Sequence, residues 1–171
     1  MTRKRTLSLA VLLALLIGLV AFQSATLAKG PDTPQILEFK TMVGVPDAFT
    51  GAKAPIRGIN GGGIPWMLTS AKGELSATGH LEVKVVGLVL AAGANAGSNP
   101  IASFRATVSC LAADASVVNV QTGTFPATSG PATSGGGNAK IEADLSLPQP
   151  CIAPIVFVTS PTGSWFASTG G

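Results

Sequence analysis

The chain has 171 residues, of which 11 are Lys or Arg and eight are Asp or Glu, so its formal net charge is +3. The single histidine, His80, excludes zinc or copper sites that need several histidine ligands. The length suits one folded domain behind a targeting segment.

The N-terminus has the pattern of a secretory signal. The basic segment 3–5 precedes an uncharged apolar run over residues 7–22, and Thr26 and Ala28 supply small residues before a cut between Ala28 and Lys29. The run of 16 residues is short for a membrane span, which needs about 20. We therefore predict that a signal helix is cleaved from the mature chain.

Cleavage changes the charge of the remaining domain, which we expect to span residues 29–171. The three basic residues of segment 3–5 leave with the signal at 1–28 and no acidic residue does, so eight basic and eight acidic side chains remain. A net charge near zero removes the reason to expect nucleic acid or an anionic membrane as a partner. The alternative is an uncleaved anchor that tethers the domain to a membrane.

The domain is predicted to be all-β, because its apolar residues recur with a period of two and Gly or Pro interrupts each stretch long enough for a helix. Eight or nine short strands favour an antiparallel β-sandwich, with a small β-barrel as the alternative. They are expected, in chain order, at residues 35–43 and 66–71, on both sides of a turn at 78–80, and at residues 101–111, 116–121, 138–147, 152–159 and 164–168.

A hairpin is predicted around the turn at 78–80. Pairing Ala77 with Leu81 keeps the apolar side chains of the two strands on one face. Beyond this hairpin the apolar phase moves by one residue, which indicates a β-bulge near Val86 and Gly87.

The two cysteines, Cys110 and Cys151, are predicted to form a disulfide, because an exported chain with an even number of cysteines most simply pairs them. Alternation in strand 101–111 directs Cys110 into the core. Closing a loop of this length stabilises a fold by about 4 kcal/mol. Two free buried thiols are the alternative.

Two segments are predicted to be flexible loops. Residues 58–63 are rich in glycine but lack the Gly-Lys-Ser/Thr and the following helix of a phosphate-binding loop. Residues 124–137 are rich in Thr, Ser, Gly and Pro and lie between two clear strands, so we expect a surface excursion.

No catalytic, cofactor-binding or metal-binding residue is predicted. His80 is expected in an exposed turn, and no Gly-x-Ser-x-Gly motif accompanies it. A pair of carboxylates for glycoside cleavage has four candidates, Glu74, Glu82, Glu142 and Asp144. Most of them alternate with apolar residues and have lysines nearby, which is typical of a solvated sheet face.

Two functions follow as hypotheses. The first is an exported, secreted or cell-envelope module without catalytic activity and without a cofactor, which binds a protein, a glycan or its own copies. The apolar segments 155–158 and 165–166 are compatible with self-association through an edge strand or with burial in the core. The second is a small secreted hydrolase that uses the four carboxylates. Their convergence with His80 in a concave pocket favours the enzyme, and dispersion over a flat face, which we expect, favours the module.

Overall fold

The computed structural model describes residues 33–170. The predicted signal helix at 1–28 and its cut between Ala28 and Lys29 lie outside these residues. The described chain contains β-strands and two single turns of 3-10 helix, at Asp47–Phe49 and Ala132–Ser134, so the all-β prediction is confirmed. None of its helices is long and apolar enough to cross a membrane.

The strands are more numerous and several are shorter than predicted. In chain order they are β1 (Gln35–Phe39), β2 (Val43–Gly44), β3 (Trp66–Met67), β4 (Ser70–Ser76), β5 (His80–Val86), β6 (Val89–Leu90), β7 (Ser98–Asn99), β8 (Ser103–Leu111), β9 (Val117–Gln121), β10 (Phe125–Pro126), β11 (Gly130–Pro131), β12 (Ala139–Asp144), β13 (Ile152–Thr159) and β14 (Trp165–Ser168).

Two antiparallel sheets contain most of these strands. The four-stranded sheet has the order β1-β4-β5-β12, and the six-stranded sheet has the order β10-β8-β13-β14-β2, with β9 also paired to β8. The short pairs β3–β6 and β7–β11 form two further ladders. Neither large sheet closes on itself, so the architecture is the predicted sandwich.

The core contains the inward faces of both sheets. The four-stranded sheet contributes fully buried side chains such as Leu81 and Ile141, and the six-stranded sheet contributes Phe104 and Val156. The segments 155–158 and 165–166 are largely within the buried set, so burial and not an exposed edge explains their apolar character. Alternation along each strand produces these faces, because successive side chains point to opposite sides of a sheet.

The predicted strand at 35–43 is divided between the two sheets. Residues 35–39 pair with β4 in the four-stranded sheet, whereas Val43 and Gly44 pair with β14 in the six-stranded sheet. The chain crosses from one sheet to the other at residues 40–42, where Met42 is buried. The period-two pattern continues through residues 40–42, so it did not predict this crossing.

The hairpin between β4 and β5 differs from the predicted register. Leu81 lies opposite Leu75, not Ala77, and the three-residue loop is 77–79. The shift is two residues, so the same side chains still point into the core and the hydrophobic pattern could not reveal it.

The same turn sequence, Ser-x-Thr-Gly, connects β4 to β5 in the four-stranded sheet and β13 to β14 in the six-stranded sheet. In the first, the Ser76 hydroxyl lies 2.9 Å from the Thr78 hydroxyl, and Gly79 donates its N–H to the Ser76 carbonyl. Residues 160–163 repeat these contacts at 2.9 Å and 3.0 Å. Each turn ends on a glycine with positive φ, +93° at Gly79 and +99° at Gly163, a conformation that other residues rarely adopt.

The predicted β-bulge near Val86 and Gly87 is wrong. Ser70 pairs with Val86, and Met67 pairs with Val89. Two residues, 68–69 on one strand and 87–88 on the other, separate these pairs. Because the two numbers are equal, neither strand has the extra residue of a bulge. Gly87 has a φ of +65°, so the ribbon breaks at this point and continues as β3–β6.

Residues 58–63, predicted as a flexible loop, run beside β14. Trp165 donates its N–H to the Asn60 carbonyl at 2.9 Å, and Gly62 donates to the Trp165 carbonyl at 2.8 Å. Ile59 is buried, and a side chain at Gly61 would collide with the backbone carbonyl of Phe49. Close backbone packing therefore explains the glycine at position 61.

Arg57, the residue directly before this segment, attaches it to the six-stranded sheet. Its guanidinium donates to the carbonyls of Ser109 at 2.9 Å and Ala153 at 2.8 Å, and Asn119 donates to the Arg57 carbonyl at 3.0 Å. The segment therefore forms a third layer on the outer face of this sheet.

Residues 124–137, the other predicted flexible loop, contain β10, β11 and a 3-10 turn. Thr128 donates its N–H to the Asn138 carbonyl at 3.0 Å, and Gly137 donates to the Thr128 carbonyl at 2.7 Å. The segment is therefore hydrogen-bonded to other parts of the chain through its backbone, which differs from the predicted surface excursion. Its flexibility stays a prediction.

The predicted disulfide joins Cys110 of β8 to Cys151, with their Cα atoms 5.0 Å apart. Cys110 is fully buried, as alternation in strand 101–111 predicted. The bond closes a loop with a sequence separation of 41 residues and ties β8 to the start of β13.

Replacing both cysteines tests the contribution of the disulfide to stability. Cys110→Ala combined with Cys151→Ala is expected to lower the free energy of unfolding by about 4 kcal/mol, because the unfolded chain regains the freedom of the open loop. Guanidinium unfolding measures the change. Reductant should destabilise the unmodified chain similarly and leave the double variant unchanged; an unchanged midpoint in both cases contradicts the prediction.

The repeated turn allows a matched glycine experiment. Gly163→Ala is expected to cost about 1–2 kcal/mol through its positive φ. Gly79→Ala should cost more, because its Cβ would also collide with the backbone carbonyl of Leu145, whereas the nearest neighbour at Gly163 is the Gln121 side-chain amide at 3.3 Å. Equal losses in thermal unfolding would contradict this difference.

Candidate functional site

The solvent face of the four-stranded sheet carries a transverse row of glutamates. Strand register places Glu38 opposite Glu74, Glu74 opposite Glu82, and Glu82 opposite Glu142. These four residues, which we call the glutamate row, are all the glutamates of the chain. Neighbouring strands lie about 4.8 Å apart, so the carboxylates form a closely spaced line across the sheet.

A row of lysines runs parallel to the glutamate row, two residues away from it on each strand. Lys72 lies opposite Lys84, and Lys84 lies opposite Lys140. Lys40 follows β1 at the same end, with its Nζ 3.8 Å from Glu38 Oε1. We call these four residues the lysine row. All members of the two rows except Glu142 line a shallow depression of about 400 Å³.

Charges are balanced along each strand and not across the sheet. Lys140 Nζ lies 2.6 Å from Glu142 Oε2 on the same strand. This contact raises the pKa of Lys140 and lowers the pKa of Glu142. Glu74 accepts a hydrogen bond of 2.7 Å from the Gln35 amide. Directly opposed like charges remain along both rows, which destabilises a sheet.

The hairpin register decides this pattern. In the register predicted from the sequence, Glu74 would lie opposite Lys84. The observed shift of two residues places Glu74 opposite Glu82 instead. The turn at 77–79 fixes the observed register, and its geometry outweighs a cross-strand charge attraction of about 0.2–1 kcal/mol.

His80 and Asp144 flank the glutamate row as the next pair on the same face. His80 is the first residue of β5, not a turn residue, and its side chain is 41% exposed. Its Nδ1 lies 2.8 Å from Asp144 Oδ1, and its Nε2 lies 3.6 Å from Glu82 Oε1. The hydrogen bond to Asp144, supported by Glu82, raises the pKa of His80.

His80 has three of the four candidate carboxylates beside it, Glu82, Glu142 and Asp144, although dispersion was expected. Glu74 lies opposite Glu82 on β4, where it is hydrogen-bonded to Gln35. All of them lie on an open sheet face. Ser76 is the hydroxyl opposite His80 in the hairpin, but its Oγ accepts the backbone N–H of His80 at 2.9 Å while His80 Nε2 lies beside Glu82. The arrangement therefore lacks the hydroxyl-to-imidazole hydrogen bond of a serine hydrolase.

A cation could be held by part of this cluster. Donor atoms of His80, Glu82 and Glu142 all lie within 4.8 Å of one another. The ammonium of Lys140 competes for the Glu142 carboxylate, and all three side chains are accessible to solvent. The expectation that the chain has no metal site stays a prediction.

A second depression, of about 310 Å³, lies on the outer side of the six-stranded sheet. Its polar lining comes from Asn60, Asn119, Gln121, Thr162 and Ser164. Gln121 accepts a hydrogen bond of 2.8 Å from Arg105. These amides and hydroxyls were not singled out in the sequence, because they come from three distant segments.

Comparisons with known protein families, curated proteins and solved structures found no match. The function of the chain is therefore inferred from its own residues.

The pKa of His80 is open to direct measurement, because the chain has one histidine. We expect an NMR titration to give a value above 6.5, and Asp144→Asn to lower it by removing the principal hydrogen bond. Asp114→Asn, on a distant loop, is the control. A value of 6.5 or below, or no response to Asp144→Asn, contradicts the prediction.

The same interaction sets a pH dependence of stability. Because the pKa of His80 is raised in the folded state, its stabilising contribution is complete below 6.5 and is lost as pH rises through the folded value. Solvent exposure limits this contribution to the range of surface pairs, about 0.2–1 kcal/mol. Asp144→Asn should therefore reduce the stability gained between neutral and mildly acidic pH.

Proposed function

We propose that the protein is an exported, non-catalytic β-sandwich module that acts outside the cytoplasm, secreted or in the cell envelope. The observation that carries this proposal is the disulfide between Cys110 and Cys151, since structural disulfides persist in oxidising compartments. The signal pattern over residues 1–28 supports the same location. The proposal includes a binding or structural role and no cofactor.

The open charged face supports binding over catalysis. Enzyme sites are usually concave and exclude water, whereas Lys40 is 86% exposed and Glu38 is 61% exposed. Flat charged faces are suited to partners that are themselves extended and charged. The proposed partners are a protein, a glycan or a second copy of the chain.

A secreted hydrolase is the second candidate. One observation favours it: His80 lies between the carboxylates of Asp144 and Glu82, and its pKa is raised, which is an arrangement also found at sites of proton transfer. The cluster is open to solvent, which argues against a hydrolase.

Export and processing are tested by intact mass. The full chain, expressed in a host with a general secretory pathway, is expected to appear outside the cytoplasm with Lys29 as its first residue. Reduction should increase its mass by about 2 Da, because a disulfide takes up two hydrogens when it is reduced. A secreted chain that lacks this gain contradicts the disulfide.

Two matched variants test the predicted cut. Ala28→Trp places a bulky residue next to the cut and should block processing, whereas Leu27→Trp alters the position between the two small residues and should be processed. If the unmodified chain retains residue 1 and fractionates with membranes, the anchor alternative replaces cleavage. If it stays in the cytoplasm, the proposed export is wrong.

A further inference from the structure

We propose that the charged face of the four-stranded sheet is a self-complementary docking surface for a second copy of this chain. This inference deepens the proposed function, because it selects one partner among those proposed. It rests on the order of the glutamate and lysine rows and not on the apolar segments, which are in the core.

The two rows contain more than half of the charged side chains in the described residues. The described residues contain seven acidic and seven basic side chains, and the two rows include eight of these fourteen. Most of the others are engaged elsewhere: Lys53 pairs with Asp47 at 3.3 Å, and Arg57 and Arg105 donate to groups of the fold. The face is therefore a concentrated array on a sparsely charged surface.

In a single copy this array is unfavourable. Glutamates face each other at three cross-strand positions, from Glu38 to Glu142, and lysines face each other at two, from Lys72 to Lys140. Directly opposed like charges destabilise a sheet. Ion pairs along the strands offset part of this repulsion at Glu38 and at Glu142. On the central strands β4 and β5, Glu74 accepts the Gln35 amide and Glu82 lies 3.6 Å from His80 Nε2. Among the described residues, Lys72 and Lys84 form no ion pair, so the centre of the face has charges available to a partner.

A two-fold rotation resolves the repulsion. Consider an axis in the plane of the face that runs parallel to the two rows and midway between them. A second copy turned by 180° about this axis places its glutamate row over the lysine row of the first copy, and its lysine row over the glutamate row. The contact is isologous, which is the symmetry of most soluble dimers.

This rotation also keeps the strands aligned. Each strand faces the same strand of the other copy, so Glu74 faces the partner's Lys72 and Glu82 faces the partner's Lys84. The reciprocal contacts follow from the symmetry. The Lys and Glu side chains are long enough to span the gap between the two sheets.

A second copy explains both rows together. A bound cation would neutralise the glutamate row and leave the lysine row unmatched, and an anionic partner would do the reverse. The rotated copy presents both signs in the required order and spacing. The face is small, which places the contact among weak, transient interfaces, and its strength should depend on salt.

The experiment measures self-association by analytical ultracentrifugation at protein concentrations up to about 1 mM, a range suited to weak complexes. The protein is used as the host produces it, cleaved, or in nonionic detergent if residues 1–28 are retained. The result is therefore independent of export. We expect a monomer–dimer equilibrium whose dissociation constant rises at least about tenfold between 0.01 M and 1 M salt, as the Debye length falls from about 30 Å to about 3 Å.

Three variants test the charge pattern. Glu74→Lys with Glu82→Lys makes the centre of the face positive, and Lys72→Glu with Lys84→Glu makes it negative. Each double variant alone should be monomeric at low salt, and an equimolar mixture should form a heterodimer. A quadruple variant with all four substitutions exchanges the two central residues of each row, keeps the net charge, and should form a homodimer again.

Two controls separate the face from net charge and from misfolding. Asp47→Lys with Asp114→Lys adds the same charge away from the face and should leave the dimer unchanged. Restoration by mixing shows that the double variants are folded. A chain that is monomeric at low salt and about 1 mM overturns the proposal, and so does a dimer that persists in both double variants.

Discussion

Two adjacent aromatic residues of β14 join the six-stranded sheet to the elements that pack on its two faces. Phe166 points inward and stacks on Trp66 with ring centroids 4.0 Å apart, so it joins the six-stranded sheet to the β3–β6 ribbon. Trp165 points to the opposite face and packs against Phe157 and against Phe49 of the 3-10 turn Asp47–Phe49. Alternation along one strand therefore anchors the core and the outer layer at the same place. The glycines at 61–62 are required because backbone and aromatic rings approach closely at this junction.

Alternation also explains how much of the fold the sequence predicts. Strands such as β8, β12 and β13 have clear period-two patterns and were located to within a few residues. The disulfide was predictable because only two cysteines are present. Three features depend on long-range geometry that the pattern does not contain: the crossing at residues 40–42, the matched break at Gly87, and the pairing of residues 58–63 with β14.

The charged face could be predicted only in part from the sequence. Each strand's polar side was predictable, because its Glu and Lys residues alternate with apolar ones. The rows were not, since a shift of two residues changes the cross-strand partner of Glu74 and keeps every apolar side chain on the same face of the sheet. The turn chemistry of Ser76, Thr78 and Gly79 contains the missing information. Because the turn sets the register, a local motif determines whether the sheet presents mixed charges or ordered lines of one sign.

The repeated Ser-x-Thr-Gly turn has a consequence for the order of folding. The hairpins β4–β5 and β13–β14 close over three- to five-residue connections, and such hairpins form within microseconds. By contrast, β12 meets β5 only after more than fifty intervening residues are in place. We therefore expect each hairpin to act as an early local nucleus, and the union of the two halves to limit the folding rate. In an exported chain this delay would leave inward-facing strands exposed during translocation, which makes the period before closure the stage most vulnerable to aggregation.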